Sequence, residues 1–373
     1  EDTKTMITAL KKLGITIIEN ENNSECTIIG KNNSLTPKKC KLFIGNAGTV
    51  IRPLTSILAF NGGEYTLHGT KRMHERPIGD LVESLNSIGA KIEYLGKRGY
   101  PPIIIKKSKI ENNFIKIKSN ISSQFLTSVL IASPLFSKSK ELRIEVEDNL
   151  ISKPYIDITL NLMKIFGIKI KNNNYNNFII SPKQYLKSPR TILIEGDASS
   201  ASYFLAAGAI SGKTIRVYGL GKNSMQGDIQ FTDILEKMGA SVKRTNNWFE
   251  VKSKSQLKGI DADFNKIPDA AMTVAVLALF AKGITTLRNI GSWRVKETDR
   301  IFAMSTELKK LGAKINEGKD YLVIKPNKMI SNATIDTYKD HRMAMSFSLA
   351  SLNSAYLNGA KIIINDPDCV SKT

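Results

Sequence analysis

Five times along the chain, the end of an amphipathic helical pattern runs into a glycine and then into an apolar, strand-like stretch. The copies are Leu10-Lys-Lys-Leu-Gly14-Ile-Thr-Ile, Leu85-Asn-Ser-Ile-Gly89-Ala-Lys-Ile, Leu162-Met-Lys-Ile-Phe-Gly167-Ile-Lys-Ile, Leu235-Glu-Lys-Met-Gly239-Ala-Ser-Val and Leu308-Lys-Lys-Leu-Gly312-Ala-Lys-Ile. The third reads as carrying one inserted residue. Glycine suits the residue just past a helix end, where the backbone turns left-handed. One such junction is common in α/β proteins. Five of them, spaced 75, 78, 72 and 73 residues apart, call for a repeated α/β unit of about 75 residues. A sixth copy would fall past residue 373, and the chain opens inside a helical pattern, so both end units read as incomplete. Ser181–Ile194, with Pro182 and Pro189, breaks the pattern. Two similar α/β domains are expected, 1–194 and 195–373, with any active site in the cleft between them.

Several function classes drop out on composition. Cys26, Cys40 and Cys369 are far apart and form no CxxC pair, which points to a reducing cytoplasm and no disulfide framework. With only His68, His74 and His341, a histidine-rich metal site is not expected. The longest apolar run, Ala270–Ala281, is too short to span a bilayer and suits a buried helix. The N-terminus reads as an amphipathic helix, not a signal peptide. The net charge of +20 raises nucleic acid as a partner. The lysines are scattered among Asn and Ile, however, with no basic stripe interleaved with aromatics. Anionic small molecules are the better match, with no nucleic acid or membrane partner, and the protein is expected to act as a monomer.

Cations recur at places where strands hand over to helices. The stretch Arg294-Val-Lys-Glu-Thr-Asp-Arg300 lies between a strand pattern (284–290) and a helical one (301–311). Helix N-termini favour anions, so Lys296 and Arg300 there suit either a solvated loop or a bound anion. Gly45-Asn-Ala-Gly-Thr49 is a small-residue turn into a helix with Arg52 in its first turn, and Gly48 allows close backbone approach. It is a plain tight turn or an anion cradle. Lys71–Arg76 places four basic-capable side chains before a helix beginning near Pro77. Ser122-Ser123-Gln124 and Ser152-Lys153-Pro154-Tyr155 read as helix caps or as phosphate and polyol contacts. Asp197 and Met225-Gln-Gly-Asp228 read as caps and turn residues. Asp269 opens a helix, where an acidic residue is favoured on structural grounds alone. Asp340-His341-Arg342 opens another. If the repeats bring these ends together, they assemble a strongly cationic site with few carboxylates, chiefly Asp269 and Glu297.

The motifs Gly45–Pro53, Arg72–Gly79, Ser122–Leu126, Ser152–Asp157, Glu195–Ser200, Ile267–Ala271, Trp293–Arg300 and Asp340–Ala344 occur in order along essentially the whole chain. In this the chain resembles the 5-enolpyruvylshikimate-3-phosphate synthase family. The resemblance implies an α/β fold of two similar domains, each of three βαβαββ units (the inside-out α/β barrel of enolpyruvyl transferases), here incomplete at both ends. It implies transfer of the enolpyruvyl group of phosphoenolpyruvate to the 5-hydroxyl of shikimate 3-phosphate. The transfer proceeds by addition and elimination through a tetrahedral intermediate, in aromatic amino acid (chorismate) biosynthesis, with no metal or cofactor.

By the same resemblance, Ser122, Ser123, Gln124, Ser152, Tyr155, Asp269, Ser292 and Lys296 hold shikimate 3-phosphate. Gly48, Arg76, Gln124, Arg300, Arg342 and Lys372 hold phosphoenolpyruvate. Asp269, Glu297, Lys296 and His341 are catalytic: Asp269 as base on the 5-hydroxyl, Glu297 on the proton at C3. Gly48 and Pro53 are the residues the family has when glyphosate inhibits it. Ser292 departs from the family's usual Asn. A Pro-Gly-Ser-Lys-Ser segment expected ahead of Glu1 and a helix expected after Thr373 are not in this sequence. A chain lacking the first is expected to be inactive or nearly so. The alternatives are a fragment that only binds substrate, or the UDP-N-acetylglucosamine enolpyruvyl transferase. The latter carries a reactive Cys on a mobile loop, and no Cys occurs in 96–102.

Overall fold

A computed structural model describes residues 1–22, 24–31, 35–136, 140–148, 150–352 and 357–372, the last without the side chain of Lys372. The chain divides into two compact units, Glu1–Thr191 and Ile192–Thr373, three residues ahead of the boundary expected at 194/195.

The first unit begins with α1 (Asp2–Lys12) and the hairpin β1 (Thr16–Glu19) and β2 (Cys26–Ile29). Next come β3 (Lys39–Phe43), α2 (Gly48–Asn61), β4 (Glu64–His68), α3 (Gly79–Ser87), β5 (Lys91–Tyr94) and β6 (Ile103–Lys106). Their sheet has the order β3-β4-β6-β5, with β3 parallel to β4 and the other pairs antiparallel. A second copy follows: β7 (Phe114–Ile117), α4 (Gln124–Phe136), β8 (Leu142–Val146), α5 (Lys153–Ile165), β9 (Ile170–Asn173) and β10 (Asn177–Ile180). Its order, β7-β8-β10-β9, and its strand directions are the same. Alternation along the strands decides the faces: in β6, Ile103 and Ile105 are fully buried, and Ile104 and Lys106 less so.

The second unit runs α6 (Ala198–Ile210), β11 (Ile215–Tyr218), α7 (Phe231–Lys237), β12 (Ser241–Arg244) and β13 (Trp248–Lys252). The sheet β11-β13-β12 repeats the last three positions of the order seen above. Then β14 (Asp261–Asp263), α8 (Ala271–Leu277), β15 (Thr285–Arg288), α9 (Arg300–Lys310), β16 (Lys314–Glu317) and β17 (Leu322–Lys325) give a full copy, β14-β15-β17-β16. Last are β18 (Ala333–Ile335), α10 (His341–Ser348) and β19 (Ile362–Ile364), the two strands parallel. The apolar run 270–281 is buried as expected, although only Ala271–Leu277 is α-helical and Ala278–Phe280 tightens to a single 3₁₀ turn.

The five repeat glycines explain the period. Each lies two residues past the end of α1, α3, α5, α7 or α9, with φ between 82° and 106°. Each glycine N–H donates to the carbonyl three residues back at 2.9–3.0 Å. The next N–H donates to the carbonyl five back at 2.8–3.2 Å. This is a Schellman end, which satisfies the last helical carbonyls and needs positive φ. It also corrects the expected insertion in the third copy. Ile168 donates to Met163, as Ile15 does to Leu10, so Met163-Lys-Ile-Phe-Gly167 is the true counterpart and nothing is inserted.

Candidate active site

In the second unit the starts of α6, α8, α9 and α10 come together around Arg300, which is 1% exposed. Its Nε donates to Asp340 at 2.8 Å, Nη1 to Asp269 at 2.9 Å and Nη2 to Glu297 at 2.8 Å. Asp269 in turn is shared. Arg342 Nη2 donates to it at 3.2 Å, and the Lys296 ammonium lies 3.5 Å away. Arg342 also reaches the Tyr203 hydroxyl on α6 at 3.3 Å. A hydroxyl pair, Ser202 and Thr273 at 2.8 Å, ties α6 to α8. The Trp293 indole N–H, in the 3₁₀ segment Gly291–Val295, donates to the Pro268 carbonyl at 2.7 Å and fixes the entry to α8.

These contacts set the charges. Burial works against the Asp269 carboxylate, but Arg342, Lys296 and Arg300 outweigh it and hold its pKa well below the usual carboxylate range. Burial likewise opposes the Arg300 charge, and Asp340, Glu297 and Asp269 more than restore it. Burial and then the Arg342 charge push His341 down to about 4, so the imidazole is neutral at pH 7. Burial and then the Asp269 charge push Asp228 up to about 6; the Ser199 hydroxyl hydrogen-bonds this carboxyl.

In the first unit the starts of α2, α4 and α5 converge. The Arg52 guanidinium donates to Gln124 and, at 3.3 Å, to the Pro77 carbonyl, and lies 5.3 Å over the Phe125 ring. Arg76 donates to the Asn46 carbonyl at 2.7 Å and to its side chain at 3.2 Å. Gly48 faces both guanidiniums: a Cβ there would lie 2.8 Å from Arg76 Nη2 and 2.9 Å from Arg52 Nη1. At the start of α4, Ser122 Oγ accepts from the Gln124 N–H at 3.3 Å, and Ser123 is buried. Ser152 stands at the N-cap position of α5 with φ 53°, a left-handed conformation uncommon for serine. Tyr155 follows one turn on, and Thr127 and Thr159 join α4 to α5 at 3.2 Å. The unit thus gathers two buried guanidiniums, a carboxamide and several hydroxyls. Among the described residues no carboxylate pairs with Arg76.

The model of the EPSP synthase (3-phosphoshikimate 1-carboxyvinyltransferase) family matches residues 1–373. A relative of that enzyme name from Herminiimonas arsenicoxydans is 55% identical over 373 residues, covering all of this chain and 84% of the relative. One from Janthinobacterium sp. (strain Marseille) is also 55% identical, covering 85% of the relative. A solved EPSP synthase from Acinetobacter baumannii superposes with a TM-score of 0.78 at 25% identity, covering 99% of this chain and 84% of that one.

The chain belongs to the EPSP synthase family. With the family go its enolpyruvyl transferase fold and its activity, that of a 3-phosphoshikimate 1-carboxyvinyltransferase in the shikimate pathway. The binding-only and UDP-N-acetylglucosamine readings are not favoured.

The surroundings of the expected cations differ from the sequence reading. Arg300 and Arg342 do not wait for an external anion, because Asp340 and Asp269 already neutralise them; the carboxylates are more numerous than expected. The helix expected near Pro77 starts at Gly79, and Arg76, ahead of it in extended backbone, reaches back to the Gly45–Thr49 turn. Asp228 is no mere turn residue but a buried carboxyl beside Asp269. Asp340, Tyr203 and Arg52 also belong to these clusters. Their local signals, a cap, a core aromatic and a helical Arg, gave no hint of partners up to 139 residues away. Ser292 stands in the 3₁₀ segment beside Trp293, without a side-chain hydrogen bond among the described residues. The Lys372 side chain lies outside the described residues.

Proposed function

We propose that Asp269 is the base on the 5-hydroxyl of shikimate 3-phosphate and that Glu297 handles the proton at C3 of phosphoenolpyruvate. In the addition, the 5-hydroxyl oxygen bonds to C2 as its proton passes to Asp269, and C3 takes a proton from Glu297. In the elimination, C3 returns a proton and the C2–O bond to phosphate breaks. Ser122, Ser123, Gln124, Ser152, Tyr155, Ser292 and Lys296 hold shikimate 3-phosphate. Gly48, Arg76, Gln124, Arg300, Arg342 and Lys372 hold phosphoenolpyruvate, and neutral His341 supports Glu297.

The observation that carries this is Asp269 at the meeting point of three cations, Arg300, Arg342 and Lys296. While they surround it the carboxylate is a weak base. An anionic substrate that draws on those cations raises its basicity when the hydroxyl is in place. No metal or organic cofactor takes part. Among the described residues no helix is long and apolar enough to cross a membrane. The enzyme works as a monomer in the cytoplasm and binds no nucleic acid, consistent with scattered lysines and three unpaired cysteines. The test is phosphate release from phosphoenolpyruvate by the full-length protein, expected only with shikimate 3-phosphate present and lost in Asp269→Asn. Turnover with UDP-N-acetylglucosamine in its place overturns the assignment.

A further inference from the structure

The segment that delivers Asp340, His341 and Arg342 is held in an uncommon shape. Tyr338 and Lys339 both have positive φ, 52° and 56°. Two successive side-chain-bearing residues in the left-handed region persist only where their surroundings hold them there. Here the surroundings are one face of α9. Glu307, with a fully buried side chain, accepts the Tyr338 hydroxyl at 2.8 Å on one oxygen. Its other oxygen accepts the Asp336 N–H at 3.2 Å and the Lys310 ammonium at 2.8 Å. Lys310 also bridges to the Asp336 carboxylate at 2.9 Å and the Thr334 carbonyl at 3.3 Å. The Tyr338 ring packs edge-on against Phe302 of the same helix. Two helical turns before Glu307, Arg300 grips Asp340.

We propose that Glu307 is a positioning residue of the transferase site. By clamping the left-handed Tyr338–Lys339 turn against α9, it sets where Asp340, His341 and Arg342 stand. Arg300 at one end of the helix and Glu307 two turns on fix both the position and the register of the segment. A buried carboxylate is otherwise an expensive way to hold a loop, because a hydrophobic side chain would fill the space without desolvating a charge. What it adds is direction: two acceptor oxygens, one aimed at the Asp336 N–H ahead of the turn and the other at the Tyr338 hydroxyl within it. The inference rests on the roles proposed above for Arg342 and His341.

The test uses Glu307→Gln and Tyr338→Phe in the purified full-length protein, with Asp261→Asn, an exposed partner of Arg288, as control. Hydrogen exchange read without substrates is expected to quicken in a peptide covering 336–342 and to stay unchanged in one covering β16 and β17. In Glu307→Gln, the KM for phosphoenolpyruvate is expected to rise about tenfold while that for shikimate 3-phosphate moves less than about twofold. Tyr338→Phe, which loses only the hydroxyl, should move both readouts the same way by less. The double variant should be no worse than Glu307→Gln, because the two share one contact. Unchanged exchange and an unchanged KM in Glu307→Gln, even with a lowered melting temperature, overturn the proposal and leave Glu307 a stabilising residue only. Absence of product from the full-length wild-type protein is a separate outcome; it overturns the transferase roles and, with them, the purpose of the clamp.

Discussion

Asp340 separates two physical contributions that normally come mixed. Its side chain is fully buried, accepts from Arg300 at 2.8 and 3.3 Å, and caps α10 by accepting the Arg342 N–H at 3.0 Å. Asp340→Asn removes the charge but keeps a side-chain acceptor, and Asn caps a helix about as well as Asp. Breaking a buried ion pair costs about 3–5 kcal/mol. Arg300 keeps Asp269 and Glu297, so the lower end applies, about 3 kcal/mol. Asp340→Ala loses the cap as well, about 1 kcal/mol more. Urea unfolding followed by tryptophan fluorescence reads this directly, because both tryptophans, Trp248 and Trp293, lie in the second unit and Trp293 is fully buried. The expected order is wild type, then Asn, then Ala. If Asp340→Asn unfolds within about 0.5 kcal/mol of wild type, the ion pair is not holding the cluster together and the reasoning fails.

Other expectations follow from the same geometry. Asp269→Asn should lower kcat about 10²–10⁴-fold in a protein that still folds, measured by phosphate release, and a smaller loss would exclude it as the base. Gly48→Ala pushes a methyl into Arg76 and Arg52, so the KM for phosphoenolpyruvate should rise and inhibition by glyphosate, expected to compete with phosphoenolpyruvate in the wild type, should weaken; unaltered inhibition argues against contact at Gly48. His341 and Asp228 act oppositely on stability. His341 titrates near 4 folded and about 6.5 unfolded, so the stability it contributes is full above about 6.5 and is lost as pH falls towards 4. Asp228, near 6 folded and about 3.8 unfolded, contributes stability at low pH that is lost as pH rises through 6. Between pH 4 and 6 the two should nearly cancel in wild type. Melting curves across that range should show His341→Gln weakening as pH rises and Asp228→Asn strengthening; flat profiles for both would refute the assignment.

The repeat was legible because its signal is local. A Schellman end needs positive φ two residues past the helix, and glycine supplies it without strain, so Gly14, Gly89, Gly167, Gly239 and Gly312 mark the period in the sequence itself. The third copy misled by one residue because Leu162 and Met163 are both apolar, and only the hydrogen bond from Ile168 decides between them. The cationic residues were legible as a set, since Arg and Lys at helix starts conflict with the dipole. Their partners were not. An Asp before a helix is explained by capping alone, and nothing local distinguishes Asp197, which does cap α6, from Asp340, which caps α10 and also neutralises Arg300 forty positions back. Asp228 was hidden in the same way: its chain neighbours suggest a turn, and burial beside Asp269 is a property of the packed unit.

The occupied state of the Arg300 cluster has a thermodynamic consequence for binding. Its cations already have counter-charges, so an incoming anion does not enter an empty positive field; it exchanges with carboxylates that stay close by. Those carboxylates then lose attraction and gain repulsion, and Asp228, already pushed up to about 6, moves further up. Substrate binding near that pH is therefore coupled to proton uptake from solvent. Titration calorimetry in buffers of different ionisation heat would show this as a binding enthalpy that tracks the buffer, and affinity would fall as pH rises through the range in which Asp228 ionises.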